Sequence, residues 1–109
     1  MLTALANPIQ KFIEATNDHN MEALLSVFND SSVVNDHGRD FSGLKEIKEW
    51  ADTYHIGMNV TLEIKEATGT GDNYFVSTVV TGDFEGGPFP FEFHFSVNND
   101  VIAALKIIG

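Results

Sequence analysis

The stretch VVNDHGRDFSG, residues 33 to 43, places an aspartate and a histidine directly behind two valines. In a strand, Ser32, Val34 and Asp36 share one face, so burial of Val34 would aim the Asp36 carboxylate inward. Desolvation in an apolar pocket raises the pKa of a carboxylate, which suits a general base that removes a proton next to a carbonyl. Turn chemistry is the alternative, because Asn and Asp ahead of Gly commonly hydrogen-bond their own backbone. The acid faces a pocket only if the strand keeps its alternation through Asn35.

Other side chains near this acid are candidates to assist it. On a regular strand His37 points away from Asp36, and we expect a solvent-exposed loop histidine that assists the acid or orients the loop. Trp50 and Tyr54 lie one helical turn apart, where they either pack in the core or line a cavity, with the Tyr54 phenol as hydrogen-bond donor. His55 follows the last turn of the same helix, where a histidine ring typically hydrogen-bonds free carbonyl groups.

The chain shows no pattern of a metal or cofactor site. It lacks HExxH, a histidine pair at i and i+4, a Gly-rich phosphate loop, a G-x-S-x-G elbow and a Rossmann fingerprint. Glu92 and His94 alternate with a set of phenylalanines, which should take the core and leave these two residues on the outer face of a sheet. We therefore expect no cofactor and no metal.

Length and composition bound the class of protein. A chain of 109 residues, 43% hydrophobic with nine Phe, predicts one globular domain over residues 1–109. No apolar run approaches the roughly 20 residues that cross a bilayer, and the start MLTALANPIQKF lacks an export signal, so we expect a cytoplasmic protein. The absence of Cys excludes a disulfide scaffold and a thiolate nucleophile. The net charge of −10 repels phosphate backbones and anionic lipid, so nucleic acid and membranes are not expected partners.

The spacing of apolar residues changes once along the chain. This change predicts the helices and strands that position the candidate residues. Three- and four-residue spacing predicts three helices, which begin after the caps Asn7, Asn20 and Ser42. SSVV predicts a short strand before the third helix, and NDHGRDF predicts a turn. After the third helix the period falls to two, and four strands follow: NVTLEIKEA, NYFVSTVVTGDF, FPFEFHFSV and VIAALKII. Helices first and a meandering sheet second predict an α+β fold with the helices on one face of the sheet.

One of these strands carries apolar residues on both of its faces. On one side of NYFVSTVVTGDF lie Tyr74, Val76, Val80 and Phe84, and on the other lie Phe75 and Val79. A sheet covered by helices on one side only should be polar outside. The pattern predicts a homodimer through the outer face of the sheet, although a few scattered exposed apolar residues need no partner.

Element order and local sequence together resemble a known group. Three helices, a short strand between the second and third, and four long strands are the order of the nuclear transport factor 2-like superfamily. FIEATNDHNMEALLSVFNDSSVVNDHG resembles the opening of SnoaL-like polyketide cyclases and steroid Δ-isomerases, and TGDFEGGPFPFEFHFSVNNDVIAALKI resembles the closing hairpin of uncharacterised bacterial members. The resemblance implies a cystatin-like cone, in which three N-terminal helices pack on a curved, mostly antiparallel sheet around an apolar cavity. It also implies a carboxylate base at Asp36, and it aligns the first-helix tyrosine of the isomerases with Phe12, which has no donor.

These observations favour a protein that binds a lipophilic small molecule in an apolar pocket. The residues expected to line the pocket are Phe12, Phe28, Trp50, Phe84 and Phe95. For an enzyme, the resemblance implies an isomerase, cyclase or dehydratase acting on a polyketide- or steroid-like substrate, with Asp36 as base and Tyr54 or His37 assisting. The alternative is a non-catalytic module, which either carries a hydrophobic ligand or binds another protein through its sheet.

Overall fold

Helices occupy the first half of the chain and precede most of the sheet. The computed structural model describes residues 5–109, apart from the side chain of residue 70. The helices are α1 (Asn7–Asn17), α2 (Met21–Leu25) and α3 (Gly43–Tyr54), and a 3-10 turn (Ile56–Met58) follows α3. The Asn20 side chain caps α2 by accepting a hydrogen bond from the backbone N–H of Ala23 at 3.1 Å. Among the described helices, none is long and apolar enough to cross a membrane.

Within residues 5–109, six strands form one sheet on which the helices pack. They are β1 (Val33–Asp36), β2 (Arg39–Ser42), β3 (Thr61–Thr70), β4 (Asn73–Thr81), β5 (Phe89–Asn98) and β6 (Val101–Ile108). Their order is β2-β1-β6-β5-β4-β3, and every neighbouring pair is antiparallel except β1 with β6. The predicted α+β fold with a mostly antiparallel sheet is therefore confirmed.

The segment NDHGRDF differs from its prediction as a turn. β1 continues through Asn35 to Asp36, His37 and Gly38 make a two-residue turn, and β2 returns from Arg39. Both turn residues have positive φ, 51° at His37 and 92° at Gly38, as the tightest β-hairpins require. The side-chain oxygen of Asn35 accepts a hydrogen bond from the Gly38 N–H at 3.1 Å. Asn35 thus takes the turn-forming role, and Asp36 ends a regular strand on the same face as buried Val34.

The core lies between the helices and one face of the curved sheet. α1 packs against β3 and β6, and α3 packs against β1 and β2. Breaks in register at Lys65 in β3 and at Ala103 in β6 mark two bulges, which bend strands and increase their twist. The sheet therefore curves, as the resemblance implied. The largest fully buried side chains include Trp50, Phe12, Phe95, Ile9, Leu24 and Ile47.

The outer face of the sheet is partly apolar. Phe93 and Phe95 are buried on the inner side of β5, whereas Glu92 is exposed and His94 is half-buried on the outer side. Phe75 on β4 is 49% exposed on this outer side. Its ring packs edge-on against His94, its neighbour across the strands, with ring centroids 4.7 Å apart.

Candidate functional site

A cavity lies between α3 and the inner face of the sheet, next to the turn that joins β1 to β2. Its volume is about 140 Å³. Its polar wall is formed by Asp36, His37, Trp50, Tyr54 and His55, and its apolar wall by Val60, Val80, Phe84, Phe89, Phe91, Phe93 and Ile107. A few converging polar groups in a mainly apolar hollow are the usual composition of a small-molecule site. We call this hollow the inner cavity.

Asp36 ends β1 with its carboxylate held by two neighbouring rings. Oδ2 accepts a hydrogen bond from the indole Nε1–H of Trp50 at 2.9 Å, and Oδ1 lies 2.5 Å from Nδ1 of His37. The Asp36 side chain is 21% exposed, so it is neither in bulk solvent nor sealed in the core. Hydrogen bonds to both oxygens stabilise the ionised carboxylate. Both rings are among the side chains that the sequence suggested as assistants of this acid.

His37 folds back toward the inner cavity because it lies in the turn with a positive φ, not on the strand. Its ring packs edge-on against Phe91, with centroids 4.8 Å apart, and its backbone N–H donates to the Ile107 carbonyl at 3.0 Å. The side chain is 46% exposed, so it forms part of the mouth of the inner cavity. When Nδ1–H donates to the ionised Asp36, the neutral ring presents Nε2 as an acceptor.

Tyr54 lies at the rim of the inner cavity, 46% exposed. Its hydroxyl oxygen accepts a hydrogen bond from Nη1 of Arg39 at 3.1 Å, which leaves the hydroxyl hydrogen free to donate. The Arg39 guanidinium also lies over the ring of Phe41, 4.9 Å from its centroid. A second depression of about 270 Å³, the outer groove, is lined by Asp36, His37, Arg39, Phe41 and Tyr54. The inner cavity and the outer groove therefore share Asp36, His37 and Tyr54.

His55 is buried in a stack of aromatic rings and does not bond the carbonyl groups at the end of α3. Its ring stacks on Trp50 with centroids 4.6 Å apart and on Phe12 with centroids 5.4 Å apart. Two rings cannot stack on one face, so His55 lies between them. Its Nε2 is 2.8 Å from Oγ1 of Thr16. Burial, and secondarily the charge of His19, lowers the pKa of His55 to about 3, so this ring is neutral at neutral pH.

Two of the five aromatic residues expected in the pocket contact the inner cavity, namely Trp50 and Phe84. Phe12, Phe28 and Phe95 lie in the core instead, at most 4% exposed, with the rings of Phe28 and Phe95 edge-on to Phe12. These three side chains pack behind the residues of the cavity wall and do not form the cavity surface. The difference arises because a sequence pattern shows that a residue faces inward but not how deep it lies.

Three phenylalanines of the apolar wall were not identified from the sequence. Phe89, Phe91 and Phe93 lie on the same face of β5 as Phe95, but nearer the mouth of the cone. Alternation places all four on one face and does not show which end of the strand meets the cavity. The pairing of Phe89 with Val80 on β4 locates that end.

Other parts of the described surface offer less for chemistry. A larger depression of about 380 Å³ lies on the outer face of the sheet around Ser77, Pro90, Glu92 and Ile108, but it is more open to solvent. Glu92 there lies 3.3 Å from Nε2 of His94, outside any apolar hollow. Within residues 5–109, no three His, Asp or Glu side chains cluster closely enough to hold a metal ion. Convergence of ionisable groups in an apolar hollow therefore favours the inner cavity as the functional site.

Comparisons with known proteins agree with this architecture. Residues 9–105 match the SnoaL-like domain family. Among solved structures, a candidate polyketide cyclase from Sinorhizobium meliloti is 27% identical, with a TM-score of 0.85 and 95% of each chain covered. None of the curated proteins matches this chain.

Two more distant structures share the fold. A hypothetical protein from Catenulispora acidiphila with a ketosteroid isomerase-like fold, in complex with trimethylamine, is 21% identical with a TM-score of 0.78, covering 97% of this chain and 87% of that chain. An uncharacterised cystatin-fold protein from Novosphingobium aromaticivorans is 18% identical with a TM-score of 0.75, covering 97% of this chain and 100% of that chain. With a family match over most of its length and the cone observed here, this chain belongs to the SnoaL-like domain family of the nuclear transport factor 2-like fold.

Proposed function

We propose that this protein binds a small lipophilic molecule in the inner cavity and acts on it by acid–base chemistry through Asp36. One arrangement carries the proposal: a hydrogen-bonded carboxylate faces a mainly aromatic cavity, with a histidine at its mouth and a tyrosine at its rim. A candidate polyketide cyclase and a ketosteroid isomerase-like fold among the structural neighbours support an isomerase, cyclase or dehydratase.

The Asp36 carboxylate is suited to remove a proton next to a carbonyl group. A carboxylate has about four lone-pair sites, of which Trp50 and His37 occupy two, so the remaining sites are free for a substrate. The two hydrogen bonds also fix the orientation of the acid, and the aromatic walls limit access of competing water. A proton taken by Asp36 and returned to a different carbon gives isomerisation.

Tyr54 is the hydroxyl donor among the described residues that line the inner cavity. Its hydrogen is free because its oxygen already accepts from Arg39, and the nearby guanidinium favours negative charge on a bound oxygen. We propose that Tyr54 stabilises the oxygen on which charge develops, in place of the donor that is absent at Phe12.

The volume of the inner cavity sets the size of the ligand. An apolar cavity of about 150 Å³ in another protein is large enough to bind benzene, and the inner cavity measures about 140 Å³. It therefore takes one six-membered ring. A polyketide- or steroid-like ligand would place one ring there and extend past Tyr54 into the outer groove, which adds about 270 Å³.

Hydrogen exchange in a panel of cyclic ketones tests the proposal before any natural substrate is identified. In D₂O the protein is expected to accelerate exchange of the hydrogens next to the carbonyl, followed by ¹H NMR. Asp36→Asn keeps the shape of the side chain and should lower the rate by about 100-fold or more, since a positioned base contributes roughly 10²- to 10⁴-fold. Asp52→Asn, on the exposed side of α3, is the matched control and should keep the wild-type rate. Equal rates for wild type and Asp36→Asn would remove Asp36 as the base.

A non-catalytic ligand-binding module is the second candidate function. Phe12, which aligns with the isomerase tyrosine, is fully buried beneath the His55 ring and offers no donor to a ligand. Both Asp36 oxygens already have partners in the protein. Binding of ring-sized ketones, detected by fluorescence of the single tryptophan, without deuterium exchange in any of them would establish this candidate instead.

We further propose that two copies of the chain associate through the outer face of the sheet. Phe75 is 49% exposed on this face beside His94, and Val79 and Ile108 add partly exposed apolar surface to it. Partial burial of these side chains against a second copy would remove apolar area from water. In the protein-interaction alternative, a different protein covers the same face.

A further inference from the structure

His55 has a defined tautomer, because only one arrangement of hydrogens satisfies its neighbour. The Thr16 hydroxyl donates its one hydrogen to the Phe12 carbonyl at 2.8 Å. Thr16 Oγ1 can therefore only accept from His55 Nε2, which lies 2.8 Å away. Nε2 carries the hydrogen, and in the neutral ring Nδ1 is left with a lone pair.

The lone pair on Nδ1 opens into the inner cavity. Among the described residues, Nδ1 has no hydrogen-bond partner. Every fully buried side-chain nitrogen or oxygen of those residues does have one. Nδ1 therefore retains accessible surface, although the residue as a whole is 3% exposed. His55 lines the inner cavity. Trp50, Phe12 and Thr16 cover both faces and the Nε2 edge of its ring, so the remaining edge, which carries Nδ1, is the part that can face the cavity.

The His55 ring is held in place by its neighbours and stays neutral. Trp50 and Phe12 hold its two faces, and Thr16 holds its far edge. Burial lowers its pKa to about 3, so the ring is a neutral acceptor over the physiological range of pH. An acceptor without a partner in an apolar hollow is unfavourable, and a ligand with a donor relieves that cost.

We propose that Nδ1 of His55 is the hydrogen-bond acceptor that selects the ligand, which therefore carries a hydroxyl, enol or N–H donor on an apolar body of one-ring size. The inference rests on the proposed small-molecule binding in the inner cavity and adds the chemistry that the cavity recognises. Asp36 at the mouth and buried His55, which follows the last residue of α3, offer two polar contacts. A ligand with one donor for His55 and one reactive carbon for Asp36 therefore fits the site.

Phenol and toluene are matched probes for this acceptor, because they differ by a hydroxyl in place of a methyl group. Affinities are measured by titration of the Trp50 fluorescence, and the ratio of phenol affinity to toluene affinity is compared between variants. His55→Phe keeps a stacking ring and removes the acceptor, so the ratio should fall about tenfold, as expected for loss of one hydrogen bond. Asp52→Asn, on the exposed side of α3, is the control and should retain the wild-type ratio.

Two further measurements keep the test decisive if His55→Phe does not fold. In the wild type, the ¹⁵N resonance of His55 Nδ1 should have the shift of an unprotonated nitrogen and should move on addition of phenol but not of toluene. Thr16→Val removes the partner of Nε2 and frees the tautomer, so the affinity ratio should again fall.

The outcomes separate this inference from the proposed function. Binding of both probes with an unchanged ratio in His55→Phe and an unmoved Nδ1 resonance would overturn the role of His55 and leave ligand binding intact. Binding of neither probe to the wild type would overturn both proposals together. A protonated Nδ1 in the free wild type at neutral pH would also overturn the inference.

Discussion

The indole Nε1–H of Trp50 on α3 donates to Oδ2 of Asp36 at the end of β1, across 2.9 Å. This bond joins the helix layer to the sheet and fixes the carboxylate at the mouth of the inner cavity. Trp50 is also the single tryptophan of the chain and is fully buried. One residue therefore orients the acid, stacks on His55 and reports on the site by its fluorescence.

Replacement of Trp50 by Phe should destabilise the protein. The change removes a hydrogen bond to a carboxylate and reduces the buried ring volume beside the inner cavity, so the free energy of unfolding should fall by about 2–4 kcal/mol. Urea denaturation followed by circular dichroism measures this loss. In a double-mutant cycle, Trp50→Phe should cost about 1 kcal/mol less in the Asp36→Asn background, and strictly additive effects would contradict an energetic link between the two residues.

Acidification should weaken the fold through His55. Its pKa is 6.5 when unfolded and about 3 when folded, so between these values the unfolded chain binds more protons and stability falls as the pH is lowered. From pH 7 to pH 5 the loss from this group is about 2 kcal/mol, measured as a shift of the urea transition. The chain contains three other histidines, so the same experiment on His55→Phe isolates the contribution of this ring. An equal loss in that variant would show that His55 is not responsible.

Filling the inner cavity should abolish ligand binding without unfolding the protein. Val80 lines the cavity from β4, so Val80→Phe places a ring in the space that a ligand needs. We expect phenol affinity to fall beyond detection, while the free energy of unfolding changes by less than about 2 kcal/mol because the new ring enters a void. Val79→Phe adds the same ring on the opposite face of the same strand and is the matched control. Retained binding in Val80→Phe would place the ligand elsewhere.

A charge on the outer face should separate the proposed dimer. Light scattering of the wild type is expected to give about twice the chain mass of 12.0 kDa. Phe75→Glu puts a carboxylate at the most exposed apolar residue of that face and should give the mass of one chain, because burial of an unpaired charge is unfavourable. Phe75→Tyr keeps the ring and should stay dimeric. A wild type with the mass of one chain would contradict the dimer.

Much of the architecture could be predicted because periodicity is a local property of the chain. The three helices and four long strands followed from spacings of three to four and of two residues, and the alternation of β5 correctly placed Glu92 and His94 on the outer face. The short strand β2 was missed, because RDFS has no alternation of its own and pairs only when His37 and Gly38 turn the chain back. The same turn directs the His37 side chain toward the inner cavity, which strand geometry did not predict.

The sequence by itself determined which residues face inward, since the backbone of a helix or strand fixes the side on which each side chain projects. It therefore sufficed to name Asp36, Trp50 and Tyr54 as candidates for one site. Only the tertiary structure decided that Asp36 meets the Trp50 indole and that His55 is held between Phe12 and Trp50. It also decided which phenylalanines reach the cavity surface. Those features depend on how closely α1 and α3 approach the curved sheet, and that distance is set by packing between residues far apart in the chain.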